Sequence, residues 1–246
     1  MKIVLAAINA KYIHANLAVC SLRAFSDEYK EQIQIKEYTI NQYTEDILAD
    51  LYKEKADMVA FSCYIWNMGM VEELTELLHQ IRPDMPIWFG GPGVTGVIRG
   101  EGEETFHELM QYYIDGSGKL EDIRGIVYRE NGQLVDNGWR EVMDLNKVPF
   151  VYEDMNDFKN KIIYYETSRG CPFSCSYCLS SVDKKVRLRD MSLVEKELQF
   201  FIDHEVPQVK FVDRTFNCNK KHAMAIWRYI KAHDNGITNF HFEIGA

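Results

Sequence analysis

No stretch of the 246 residues is apolar for long enough to span a bilayer, and the opening Met1-Lys2-Ile3-Val4-Leu5 lacks the apolar core and small-residue cleavage site of a secretory leader. The expected compartment is therefore the reducing cytoplasm, with no membrane partner. Basic residues are also short: 28 Lys and Arg stand against 37 Asp and Glu, a formal net charge of −9 with no compensating basic block. A large electrostatic footprint for nucleic acid is thus not expected. A disulfide framework is missing as well. Of six cysteines, Cys20, Cys63 and Cys218 stand apart, as single buried thiols do. What remains, 46% hydrophobic and 13% aromatic residues, is enough for a sizeable core in one or two domains.

The other three cysteines lie together in Gly170-Cys171-Pro172-Phe173-Ser174-Cys175-Ser176-Tyr177-Cys178, which follows the apolar run Ile162-Ile163-Tyr164-Tyr165. Thiolates spaced C-x3-C-x2-C on one short turn can bind three irons of a four-iron cube and leave the fourth without a protein ligand. An open iron is what a cluster needs to bind and reduce a substrate. Zinc is the competing assignment. It requires a fourth ligand, for which Cys218 or His222 is available, although neither belongs to the second Cys/His pair that zinc loops usually have. A buried apolar role for all three thiols fits poorly with a Gly/Pro/Ser loop.

Before this loop the chain alternates. Strands are expected at 2–8, 33–40, 58–62 and 87–89. Between them come helices: one capped by Asn16 and carrying Leu17, Leu22 and Phe25, one capped by Thr44, and one running from Val71 to Ile81 until Pro83 stops it. This β-α beat predicts an α/β fold with an open, doubly wound parallel sheet. Only residues 90–96 separate the fourth strand from a fifth at 97–99. Seven extended residues reach roughly 23 Å, enough to return along a short strand without a covering helix. A further helix opens at Gly100-Glu101-Gly102-Glu103-Glu104-Thr105, and Glu130-Asn131-Gly132 marks a hairpin between 126–129 and 133–135. Residues 1–137 form the expected first domain and 138–160 a polar linker. From 161 to 246 three βα repeats follow: strands at 162–166, 209–212 and 240–244, with Ser192 and Glu195 as a capping box for the first helix. Three repeats do not close a barrel and would expose an edge strand, so a longer enzyme, of which this is an N-terminal piece, is expected.

The cysteine trio, with an aromatic Tyr177 before its last member, resembles the radical S-adenosylmethionine (SAM) superfamily. The order of parts resembles its cobalamin (B12)-binding members, in which a Rossmann-like domain precedes a SAM barrel. The resemblance implies that Cys171, Cys175 and Cys178 hold a [4Fe-4S] cluster whose free iron chelates SAM, and that Tyr177 lies near the adenine. An electron delivered by a donor such as flavodoxin or ferredoxin would cleave SAM to methionine and a 5′-deoxyadenosyl radical. Asp213, Arg214, Asn217 and Glu243, after the second and third barrel strands, are candidates for the SAM amino group or ribose. The competing reading makes Asp213 and Arg214 an ion pair and turns Glu243 to solvent.

In the first domain the expected cofactor edge comprises Asn9, Lys11, Ser62, Cys63, Tyr64, Gly90, Gly91 and Gly102. Of these, Ser62-Cys63-Tyr64 and Gly90-Gly91 resemble the serine motif and glycine pair that line the cobalamin tail. One departure is clear. The family's cobalt-ligating Asp-x-His-x-x-Gly is absent after the first strand, which runs into Asn9-Ala10-Lys11-Tyr12-Ile13-His14, so His14 is not assigned to cobalt. The leading expectation is a cobalamin-dependent radical SAM enzyme that transfers a methyl group to a carbon or phosphorus centre of a small-molecule or peptide substrate. The alternatives are a cobalamin-independent radical SAM enzyme and a non-catalytic cobalamin- or zinc-binding module.

Overall fold

The computed structural model describes residues 1–89, 94–176, 178 and 183–245. Two compact units divide the chain, Met1–Val142 and Met143–Ala246.

The first unit is built on β1 (Ile3–Asn9), every residue of which is buried. Such a strand must be covered on both faces, which is the environment of a parallel sheet. Helices α1 (Leu17–Phe25), α2 (Thr44–Lys53), α3 (Met68–Ile81) and α4 (Glu103–Met110) provide the cover. Ile3, Leu5 and Ala7 pack with Val19, Phe106 and Leu109 on one side, while Val4, Ala6 and Ile8 pack with Ile47, Leu51, Val71 and Leu74 on the other. With β2 (Ile33–Thr39), β3 (Met58–Ser62), β4 (Ile87–Trp88) and β5 (Gly96–Ile98), the parallel order is β2-β1-β3-β4-β5. The chain leaves β1 toward one side to make β2 and returns on the other to make β3. The switch point therefore lies at the carboxyl ends of β1 and β3, where open α/β sheets bind ligands. The hairpin β6 (Ile126–Glu130) and β7 (Gln133–Asp136) extends the sheet antiparallel, with Asn131 and Gly132 both at positive φ as the Asn-Gly turn requires. The short connection expected at residues 90–96 falls largely outside the described residues. Around it β4 and β5 pair in parallel, Trp88 opposite Gly96.

The second unit has a three-stranded parallel sheet, β12-β11-β8 in order, from β8 (Ile163–Tyr165), β11 (Gln208–Phe211) and β12 (Asn239–His241). Helices α5 (Met191–Asp203) and α6 (Lys220–His233) make the crossovers of an open (β/α) barrel segment. Aromatic rings fill its core: Tyr165 meets Phe201 and Phe211, and Phe242 lies 4.4 Å from both Phe211 and Phe216. Three local expectations change. Residues 143–160, read as linker, belong to this unit: Met143, Leu145, Val148 and Tyr152 are buried anchors at a spacing that follows neither helix nor strand. Thr44 is the first residue of α2, not its cap, and its hydroxyl donates to Glu73 on α3. Asp190, not Ser192, occupies the cap of α5.

A buried ion pair ties these pieces together. The Arg189 guanidinium meets Glu197 of α5 through Nε and Nη2, the latter at 2.5 Å, and its Nη1 donates to the Leu145 and Val148 carbonyls. Glu197 also accepts from the Tyr165 hydroxyl of β8 at 2.5 Å. Both charged residues are at most 7% exposed, so losing one strands the other. Glu197→Ala should cost about 3–5 kcal/mol in urea unfolding of the second unit. The same change in an Arg189→Ala background should cost far less, as a double-mutant cycle would record.

Candidate functional site: the cysteine loop and the switch-point edge

The chain leaves β8 through Glu166 and Thr167 and forms β9 (Ser168–Arg169), which pairs antiparallel with β10 (Arg187–Leu188). The cysteine loop is thus the excursion of a hairpin closed at its base. Gly170 stands where the loop opens, at φ +95°. A Cβ there would run into the Lys185 carbonyl oxygen and lie 2.9 Å from its carbon, so a side chain would push the two arms apart. The Cys171 amide donates to the Asp183 carbonyl at 2.9 Å, and the Cys178 amide donates to the Cys175 carbonyl at 3.2 Å. Cys171 is buried, Cys178 half-buried and Cys175 exposed; Tyr177 lies outside the described residues.

Among the described residues no three His, Cys, Asp or Glu side chains converge on one ion position. Cluster thiolates each bind a separate iron and need no common point. A trio of cysteines, none in a disulfide, in one glycine-hinged loop is a donor set that fits such a cluster. Of the zinc alternatives, Cys218 is half-buried, with burial pushing its thiol pKa up, and His222 is buried at the start of α6, with its imidazole pKa pushed down.

Asp213, at the end of β11, holds the stem of that loop. It is 1% exposed, and its carboxylate accepts from the Thr167 amide (3.0 Å), the Thr167 hydroxyl (3.1 Å) and the Ser168 hydroxyl (2.5 Å). The Asp213–Arg214 ion pair of the competing reading is not formed among the described residues: Asp213 turns inward and Arg214 is exposed. Asn217 exchanges two hydrogen bonds with the Gly245 backbone, and the exposed Glu243 carboxylate pairs with Lys210 at 3.2 Å. Three loops at the carboxyl ends of β8, β11 and β12 are thereby linked, through Asp213 and Asn217. Sequence reasoning missed Thr167, Ser168 and Thr215, the last with its hydroxyl 3.9 Å from Cys171 Sγ. The first two were signalled only by their place immediately before the loop.

At the edge of the first unit the residues after β1 and β3 form a buried polar network. Asn9 Nδ2 donates to the His14 carbonyl and to Glu37 Oε1, both at 3.1 Å, and Asn9 Oδ1 accepts from Asn16. Both Asn9 N–H groups are consumed, so Asn9 positions the loop over 10–16 and has no donor left for a ligand. Asn16 also caps α1 and reaches Ser62 Oγ, while Asn67 donates to the Ile8 and Ser62 carbonyls and accepts from the Tyr64 amide. Glu37 and Asn67 are further residues the sequence reading missed. Around this network Lys11, Tyr12, Ile13, Cys63, Ile65 and Trp66 are exposed, with Ile65 95% so, and the Tyr64 and Trp66 rings stack at 4.5 Å. A rim of apolar side chains over a fixed polar floor fits a broad ligand with apolar faces and amide edges, as a corrin has. Gly102 has another use: it caps α4, and a Cβ there would lie 3.0 Å from Leu22 of α1. Gly90 and Gly91 lie outside the described residues.

Residues 3–110 match the family model of the B12 binding domain. The first unit is a B12 binding domain. The chain is similar to an uncharacterized methyltransferase of Pyrococcus horikoshii, 30% identical over 76% of this chain and 46% of that protein. It is also similar to the cobalamin-dependent radical SAM methyltransferase TokK of Streptomyces tokunonensis, 24% identical over 65% of this chain and 28% of TokK. In fold it matches the radical SAM methyltransferase TsrM of Kitasatospora setae, solved with cobalamin and a [4Fe-4S] cluster bound. That match has a TM-score of 0.69 at 16% identity and covers 96% of this chain and 52% of TsrM. The likeness extends through the second unit, whose open (β/α) barrel segment shares that fold. The chain spans less than half the length of these two sequence relatives. Among the described residues no helix is long and apolar enough to cross a membrane.

Burial pushes the Asp213 pKa up from 3.8 to about 6, against the pull of its Ser168 and Thr167 bonds and with a smaller push from Glu166. A raised carboxyl pKa means that the stability associated with the protonated form is fully present below pH 4 and lost as pH rises through about 6. The difference is of the order of 2–3 kcal/mol. Urea midpoints for the second unit should fall as pH rises from about 4 to about 6.5, and Asp213→Asn should flatten that slope; a slope unchanged in the variant would contradict the assignment.

Proposed function

We propose that this chain carries the cobalamin-binding and cluster-binding portion of a radical SAM enzyme, and that the reaction is methyl transfer to a carbon or phosphorus centre. The observation that carries the reading is the coexistence, in one chain, of a B12 binding domain with a three-cysteine loop pinned at the carboxyl ends of barrel strands. Sites on (β/α) barrels are built at that end.

When bound, the cluster supplies the electron that cleaves SAM, and cobalamin supplies a carrier for the methyl group. The protein's own residues do the rest. Cys171, Cys175 and Cys178 bind as thiolates, each to a different iron. Gly170 lets the loop turn sharply enough to present them, and the half-exposed Cys178 and exposed Cys175 leave the outer side of the loop open for SAM. Asp213 fixes the stem instead of touching SAM, while Arg214 and Asn217 remain the candidates for its polar groups. In the B12-binding unit, Asn9, Asn16, Glu37 and Asn67 hold the loops after β1 and β3 in place. Lys11 offers a cation to ligand phosphate or amide oxygens, and Tyr12, Ile13, Ile65 and Trp66 offer apolar surface. His14 contributes its backbone carbonyl to that floor. Substrate and electron donor, a flavodoxin or ferredoxin, come from outside, in the reducing cytoplasm that an oxygen-labile cluster needs.

Anaerobic reconstitution with iron, sulfide and hydroxocobalamin tests the reading. About four irons and one cobalt per chain are expected, with Cys175→Ala losing the cluster while Cys63→Ala and Cys218→Ala keep it. Full iron content and SAM cleavage in Cys175→Ala would refute the cluster assignment. Iron without cobalt would leave a radical SAM enzyme that works without cobalamin, and zinc alone would leave a structural module.

A further inference from the structure

Thr215 is half-buried in the loop after β11, and nothing in the C-x3-C-x2-C pattern points to it. Its hydroxyl oxygen lies 3.9 Å from Cys171 Sγ, at the long end of the reach of a hydrogen bond to sulfur. We propose that Thr215 donates a hydrogen bond to the Cys171 thiolate and thereby raises the reduction potential of the cluster held by the cysteine loop, an inference that rests on the cluster reading above.

Three observations hold that hydroxyl in place. Asp213, two residues before, is fixed to Thr167 and Ser168, and Asn217, two residues after, is fixed to the Gly245 backbone. The loop is therefore anchored on both sides of Thr215. The side chain is also oriented: a Cβ at Gly245 would lie 3.1 Å from Thr215 Cγ2, so the methyl packs toward Gly245. A β-branched side chain has few χ1 choices, and with the methyl on that side the hydroxyl stays on the Cys171 side. Finally, Cys171 is the most buried of the three cysteines, which limits competition from water.

In the free thiol either atom can donate. Ligation to iron removes the thiol proton, and the Thr215 hydroxyl is then the donor of the pair. Reduction places one electron from an external low-potential donor on the cluster and makes no bond in the protein. The added negative charge, shared with the thiolate sulfurs, is stabilised by an O–H dipole pointing at one of them, as hydrogen bonds to cluster sulfur generally do. Thr215 is thus a positioning and tuning residue, not a catalytic one.

The experiment is an anaerobic redox titration of the reconstituted protein with dithionite and mediators, followed by electron paramagnetic resonance of the reduced cluster. Thr215→Val, close to isosteric, and Thr215→Ala should keep the wild-type iron and sulfide content and shift the midpoint to more negative potential. Thr215→Ser, which keeps the hydroxyl, should stay close to wild type. Equal midpoints in wild type, Val and Ala would overturn the proposal and leave the cluster reading standing. So would loss of the cluster in both Val and Ala with retention in Ser, which would assign the hydroxyl to assembly instead of potential. A wild-type protein that assembles no cluster would overturn the cluster reading itself, and the proposal with it.

Discussion

A carboxylate with almost no access to water, bonded to the two residues that lead into Gly170, is the constraint on which the cysteine loop depends. Asp213 reaches from the end of β11 to the stem after β8, and the register of β9 with β10 follows from that stem being held. Its cost is visible in its raised pKa: burial disfavours the charge more than the surrounding hydroxyls and amide restore it. A protein that keeps such a group uses it to hold a conformation that apolar packing cannot specify. A loop rich in Gly, Pro, Ser and Cys has little apolar surface with which to fix itself, so its geometry is imposed at its base.

The B12-binding unit solves a similar problem with neutral groups. Around the carboxyl ends of β1 and β3, asparagine side chains substitute for backbone pairing that the strands can no longer provide. Asn67 satisfies the Ile8 carbonyl near the end of β1 and the last carbonyl of β3, and Asn9 and Asn16 share Glu37 and each other. The polar floor is thereby saturated from within. What it leaves toward solvent is largely apolar, stacked Tyr64 and Trp66, Ile65 and Tyr12, with the exposed Lys11 among them. Two different means thus give one result, loops held rigid from below and free to contact a cofactor from above.

Much of this architecture can be read from the sequence because hydrophobic periodicity is a local signal. β1 with its apolar run from Ile3 to Ile8, α3 ending before Pro83, and the Asn131-Gly132 hairpin each announce themselves within a few residues. Pairs of polar groups that meet only in space do not. Arg189 and Glu197 are eight residues apart with a helix start between them. Glu37 looks like an ordinary solvent-facing position in an alternating strand. β9 and β10 are each two residues long, too short to carry any period, so the hairpin beneath the cysteines was invisible and the motif looked like a plain loop between strand and helix. Asp213 was visible as a polar residue at a strand end, the right place for a ligand contact. Its actual partners, Thr167 and Ser168, could be found only by knowing that β8 and β11 are neighbours.

The central chemical claim is that the cysteine loop leaves one iron of its cluster free for SAM. Electron paramagnetic resonance of the dithionite-reduced, reconstituted protein with and without SAM examines that iron directly. A change in the g-values of the reduced cluster on adding SAM, lost in Cys175→Ala, is expected; an assembled, reducible cluster whose spectrum is identical with and without SAM would contradict the claim.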